Sequence, residues 1–130
     1  MSGKYLLDTN IIIALFANEA AVLEELQLAK EIFISNITIG ELHYGANKSQ
    51  RVIENKNRID ELVANSVILE TNVETALIYG EIKHSLRVKG RPLPENDIWI
   101  AAVALQYNLI LVTRDAHFQE IKNLQTLAWK

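Results

Sequence analysis

Asp8, Glu41, Asp97 and Asp115 are the side chains whose type and placement could do chemistry. Asp8 ends the apolar run Tyr5-Leu6-Leu7, Glu41 follows Ile32-Phe33-Ile34-Ser35 by a few residues, Asp97 opens the apolar stretch Ile98–Leu105, and Asp115 comes just after Leu109–Thr113. Each position is the carboxyl end of an expected strand or the first turns of an expected helix. In an open parallel sheet such positions converge on one crevice. Capping alone explains any single acid, because the free amides and the dipole of a helix N-terminus favour a carboxylate there. Capping does not require all four to share one edge, and an apolar strand would end equally well in serine or glycine.

Four carboxylates gathered in one crevice repel one another, which raises some of their pKa values unless a cation sits among them. A hard divalent ion is the natural relief. All-oxygen ligation selects Mg²⁺ or Mn²⁺, while the absence of cysteine and the scattered His43, His84 and His117 argue against zinc. A partly hydrated Mg²⁺ held by carboxylates suits phosphoryl chemistry, since it orients a phosphodiester, activates water and neutralises developing charge. Hydrolysis of a nucleic-acid backbone is therefore the leading expectation. Thr9, Asn10 and Thr113, beside two of the acids, are the expected supports of the ligands.

The elements that must hold these acids are legible in outline. Residues 4–8 predict a buried strand, being a short apolar run ended by a turn signal. Helices are expected from Ile11 to Ala17 and from Ala20 to Lys30, and a second strand over Ile32–Ser35. Thr38-Ile39-Gly40-Glu41 reads as a capping box opening the next helix, followed by an amphipathic one whose Lys48, Arg51, Lys56 and Arg58 face water. Val67-Ile68-Leu69 is a short strand, and Thr71-Asn72-Val73-Glu74 repeats the capping signal before a helix through about Lys89. Gly90-Arg91-Pro92-Leu93-Pro94 must be a loop. Asn96 and Asp97 start a helix apolar almost all round, hence interior. Leu109–Thr113 is a buried strand, Ala116–Glu120 a short helical turn and Thr126–Ala128 the last strand. This alternation predicts an α/β fold: a single three-layer domain over 1–130, with a mainly parallel sheet flanked by helices.

The 130 residues suffice for one compact core, and 49% apolar with 22% charged residues excludes disorder, collagen-like repeats and a coiled coil. Without cysteine there are no disulfides and no thiol nucleophile, and a cytoplasmic location is the default expectation. Asp8 and Asn10 interrupt the apolar stretch from Tyr5 to Ala17, so it does not read as a signal peptide. No run reaches the roughly 18 residues needed to cross a bilayer. A net charge of -3 rules out a generally basic coat for nucleic acid. A polyanion would have to meet a local patch or a metal. Lys83, Arg87, Lys89 and Arg91 precede Asp97, and Arg114 adjoins Asp115, so the largest basic excess lies beside two proposed ligands and is the expected contact for nucleic-acid phosphates. Trp99 is expected to pack in the core or in a dimer, as are Tyr44, Tyr79 and Tyr107.

Four motifs carry a resemblance: Leu6-Leu7-Asp8-Thr9-Asn10, Ile37-Thr38-Ile39-Gly40-Glu41-Leu42-x-Tyr44-Gly45, Asn96-Asp97-x-x-Ile100-Ala101-Ala102-x-Ala104, and Leu111-Val112-Thr113-Arg114-Asp115-x-x-Phe118. In order and spacing they resemble the PIN domain, and within it the VapC toxins of bacterial toxin–antitoxin pairs. The resemblance implies a Mg²⁺- or Mn²⁺-dependent endoribonuclease, a hydrolase whose family acids map onto Asp8, Glu41, Asp97 and Asp115. It also implies a homodimer and a VapB-like antitoxin partner, with tRNA among the possible substrates. Two other functions fit the same fold: an RNA-processing nuclease outside any toxin–antitoxin pair, and a binding module without chemistry. A phosphotransferase of the haloacid-dehalogenase kind fits poorly, because Asn10 stands where that chemistry resembles Asp-x-Asp.

Overall fold

The computed structural model describes residues 4–29 and 31–130. Five strands form one sheet: β1 (Lys4–Leu7), β2 (Glu31–Ser35), β3 (Val67–Leu69), β4 (Ile110–Val112) and β5 (Thr126–Leu127). Their order is β3-β2-β1-β4-β5 and every pairing is parallel. Six α-helices connect them: α1 (Thr9–Phe16), α2 (Ala20–Leu28), α3 (Asn36–Asn47), α4 (Val52–Ala64), α5 (Val73–Lys89) and α6 (Glu95–Gln106). A 3₁₀ turn, Ala116–Glu120, follows β4. The expected three-layer α/β arrangement is what forms.

The two-residue period of the strands divides the core. Leu6 pairs in register with Phe33 and Leu111, and these three point to one face. There they meet Ile82 and Leu86 of α5, the buried Ile98 and Ile100 to Ala104 of α6, and Phe118. Leu7 pairs with Val112 and points the other way, with Ile34, into Ile11, Ile12 and Ala14 of α1, Val22 of α2, Leu42 and Ala46 of α3, Ile59 of α4, and Trp129. Leu6, Leu7, Leu111 and Phe118 are wholly buried. Each contributes about 1.5–3 kcal/mol by leaving water, so the short central strands β1 and β4 hold because both their faces are covered.

The helix starts differ from expectation in an informative way. Helix α3 begins at Asn36, capped by the Ser35 hydroxyl accepting from the Thr38 N–H at 3.2 Å, so Thr38 lies inside the helix and does not cap it. Helix α5 does begin with a capping box, but one residue late: Asn72 and Thr75 exchange bonds of 3.0 and 3.1 Å. Glu74, the acid the sequence pattern offered for that role, sits in the first turn and takes no part in the box. Helix α6 starts at Glu95 after Pro94, placing Asn96 and Asp97 in its first turn without a side-chain cap. Helix α2 ends at Leu28, and the expected last residue of that helix, Lys30, lies outside the described residues. On α4, Arg58 does not face water as expected. Its guanidinium bonds the Phe16 carbonyl and lies 4.5 Å over the Phe16 ring. Among the described residues no helix is long and apolar enough to cross a membrane.

Candidate active site

The carboxyl edge of β1 is where the acids gather, and the local chain conformation explains each one. Asp8 leaves β1 in extended conformation, with its N–H still bonded to the Val112 carbonyl at 2.9 Å, and becomes the N-cap of α1. Its Oδ1 accepts from the Thr9 N–H at 2.8 Å, and its Oδ2 accepts from the Thr113 hydroxyl at 2.7 Å and from Asn10 Nδ2 at 3.4 Å. Only 5% of Asp8 is exposed. Glu41, on the second turn of α3, accepts from the Thr9 hydroxyl at 2.5 Å and from Asn96 Nδ2 at 3.3 Å. Asp115 follows β4 and caps the 3₁₀ turn, accepting from the His117 N–H at 2.9 Å.

Asp97 reaches the same edge from the opposite direction. Helix α6, of 12 residues, spans about 18 Å and delivers its far end to the start of β4. Because β4 runs parallel to β1, the first turn of α6 comes to lie at the carboxyl edge. The electrostatics record the convergence: burial raises the Asp97 carboxyl to about 6, and the charges of Asp8, Asp115 and Glu41 push the same way, against a lowering by His117. Asp8 is raised as well, chiefly by burial, with Thr113 and the Thr9 amide opposing and Glu41 and Asp115 adding repulsion.

Thr9, Asn10 and Thr113 all touch the acids. Thr113 is the hub, since its hydroxyl donates to Asp8 and accepts from Asn10 Nδ2 at 3.4 Å and from the Asp115 N–H at 3.1 Å. One hydroxyl thereby ties the Asp8 carboxylate to the main chain at Asp115. Two further residues belong to the site that sequence reasoning did not assign to it. Asn96 orients Glu41, a role foreshadowed only by its place in the motif. His117 holds its Nδ1 3.1 Å from Asp115 Oδ1, although its spacing from the other histidines carried no signal.

The basic residues sort into two groups. Lys83 is tied to Glu95 and the Tyr79 hydroxyl, Lys89 to the Glu120 carbonyl at 2.6 Å and carboxylate at 3.5 Å, and Arg114 to Glu19 and the Trp129 carbonyl. Among the described residues Arg87 and Arg91 make no ion pair. Trp99 stacks on Tyr79 with ring centroids 4.1 Å apart, bridging α5 and α6 as packing. Tyr44 is 67% exposed and lies outside the core.

The donor set suits a hard cation: four carboxylates, no thiolate, and mutual repulsion that a positive charge would relieve. Among the described residues no three His, Asp or Glu side chains already stand as a cage.

Comparison with known proteins accords with this geometry. The PIN domain family model matches residues 5–124. Ribonuclease VapC1 of Haemophilus influenzae is 37% identical over 130 residues, covering 96% of this chain and 97% of that protein. The tRNA(fMet)-specific endonuclease VapC of Shigella flexneri is 36% identical over 129 residues, covering 97% and 98% respectively. The crystal structure of VapBC2 from Rickettsia felis, bound to a DNA fragment from its promoter, superposes with a TM-score of 0.91 at 31% identity over 97% of this chain and 98% of that one. The chain belongs to the PIN-domain family, among its VapC ribonucleases.

Proposed function

We propose that the chain is a Mg²⁺- or Mn²⁺-dependent endoribonuclease that hydrolyses RNA phosphodiester bonds, and that it is the toxin of a toxin–antitoxin pair. The observation that carries the chemistry is the convergence of four carboxylates from four separate segments, whose charges add to the burial that raises Asp97 to about 6. Asp8, Glu41, Asp97 and Asp115 are the catalytic acids and would hold the ion. A bound ion supplies charge neutralisation at the scissile phosphate and activation of water. The chain's own work is positioning: Thr113 and Asn10 keep Asp8 aimed into the crevice, while Thr9 and Asn96 do the same for Glu41. Without the ion these acids would repel an RNA phosphate, so cleavage must depend on it.

Transfer RNA is the first substrate to test, given the name of the Shigella relative. The partner is a VapB-like antitoxin, as in the complexes that the fold resembles. A homodimer in the cytoplasm, where the RNA is, completes the reading. The test is cleavage of a transcribed tRNA by purified protein. Cleavage is expected with Mg²⁺ or Mn²⁺, none with EDTA, and none by Asp8→Asn. Cleavage that survives in Asp8→Asn, once a contaminating nuclease is excluded, would overturn the mechanism. No ion-dependent cleavage of any RNA would leave a binding module.

A further inference from the structure

Arg114 stands between Thr113 and Asp115, where a free guanidinium would be well placed to meet a phosphate. Its guanidinium is already engaged. Nε and Nη2 donate to the Trp129 carbonyl at 3.1 and 2.7 Å, and Nη2 lies 2.9 Å from Glu19 Oε1. The Arg114 side chain is 27% exposed. Its main-chain N–H points to Asn10 Oδ1 at 3.4 Å, and Asn10 Nδ2 in turn reaches Asp8 and Thr113. We propose that Arg114 is a positioning residue for the acid cluster, clamping the α1–α2 turn and the C-terminal segment to the loop that carries Asp115.

All three clamped parts are well anchored. Trp129 is 3% exposed and meets the Tyr5 ring edge-on at 5.4 Å, beneath β1. The Thr113 N–H bonds the Leu127 carbonyl at 2.9 Å, so the same C-terminal segment also braces the hub of the site. Glu19 follows Asn18, whose left-handed φ of 59° turns the chain between the helices, and the Glu19 N–H returns to the Ala14 carbonyl at 3.1 Å. A planar fork can grip a carbonyl and a carboxylate together, whereas an ammonium on a flexible stem cannot hold both in one plane. Reacting groups must be held to a fraction of an ångström, so loosening this junction moves Asp8, through Asn10, and Asp115, through the chain, out of line.

The activity readout rests on the ribonuclease reading; the ion readout does not. The variants are Arg114→Ala, Arg114→Lys, Glu19→Gln and Arg114→Ala/Glu19→Gln. For each, single-turnover cleavage, RNA affinity in EDTA and the Mn²⁺ midpoint from thermal shift are measured. In Arg114→Ala the cleavage rate is expected to fall, and the Mn²⁺ midpoint to rise, by about 10- to 100-fold, with RNA affinity changed less than about twofold. Glu19→Gln moves both in the same direction by less, the double variant is no worse than Arg114→Ala, and lysine does not restore the rate. Loss of RNA affinity with the rate intact, or full rescue by lysine, would overturn the clamp in favour of a phosphate contact. If Arg114→Ala does not fold, Glu19→Gln, which leaves the Trp129 contact in place, decides alone: an unchanged rate and an unchanged Mn²⁺ midpoint overturn the proposal. If the wild-type protein cleaves no RNA, the ribonuclease reading fails, while the Mn²⁺ midpoints still judge the clamp.

Discussion

The β1–α1 corner and the first turn of α6 each present an aspartate to the same crevice, under opposite conditions. Asp8 is almost wholly buried and held by the Thr9 amide, the Thr113 hydroxyl and Asn10. Asp97 is half-buried, has no side-chain hydrogen bond among the described residues, and is raised to about 6 by burial and by its three acidic neighbours. In one corner the fold supplies donors to a carboxylate; in the other it supplies burial and repulsion without a donor. A fixed acid beside an unsatisfied one is what a cation site requires, because the first sets the geometry and the second is relieved only when the ion arrives. An apolar pocket holding one capped acid would have neither property.

The largest effect should be shared by both corners. Asp8→Asn and Asp97→Asn are each expected to lower cleavage by about 100-fold or more, measured under single-turnover conditions with Mg²⁺. Near-normal cleavage by Asp97→Asn would mean that the first turn of α6 is only an acidic cap.

Stability should then separate the two corners. In the ion-free protein the Asp97 carboxyl sits near 6, against 3.8 as its ordinary value, so the folded state binds its proton more tightly than the unfolded chain. Stability therefore rises as pH falls through about 6 toward 4, and is lost again as pH rises through that window. Asp8, also raised, adds in the same direction. Denaturant midpoints of ion-free protein should be higher at pH 5 than at pH 7.5, with a smaller difference in Asp97→Asn. Added Mg²⁺ at pH 7.5 should raise the melting temperature, since it binds the folded form, and Asp97→Asn should show less of that gain. A pH profile identical in wild type and Asp97→Asn would remove the raised Asp97 carboxyl from the account.

The smallest effect concerns the free cations. Arg87 and Arg91, the two basic residues of the patch without ion pairs among the described residues, are expected to weaken RNA binding a few-fold each when changed to alanine. Each should also reduce the salt slope by about one. Lys83, already engaged by Glu95, should do less. Equal losses at Lys83 and Arg87 would mean that the ion pair opens freely to RNA.

Much of this was visible along the chain, and the exceptions share a cause. The apolar run Tyr5–Leu7 marks a buried strand by itself, because strands covered on both faces lose the polar alternation of exposed ones. The boundary errors at Ser35 and Asn72 arose because Ser, Thr and Asn all cap well, and neighbouring candidates differ by a few tenths of a kcal/mol locally. The exact start of the helix is settled by which residue the packed helix leaves at its end. The contacts of Asn96, His117 and Arg114 were illegible for a different reason. Each acts on a residue or segment distant along the chain or through one bond of a network, and no spacing rule reports whether a cation at the surface is free or already engaged.

The sequence by itself determined the order of strands and helices, the parallel sheet, and the identity of four acids bound for one edge. These follow from periodicity and from strand ends, which are local properties. Only the tertiary structure decided which of the raised acids is held by donors and which is not, and which cations are already engaged. Those depend on burial and on hydrogen-bond partners, such as Asp8 with Thr113 and Arg114 with Trp129, that lie far apart along the chain and meet only when the sheet is assembled.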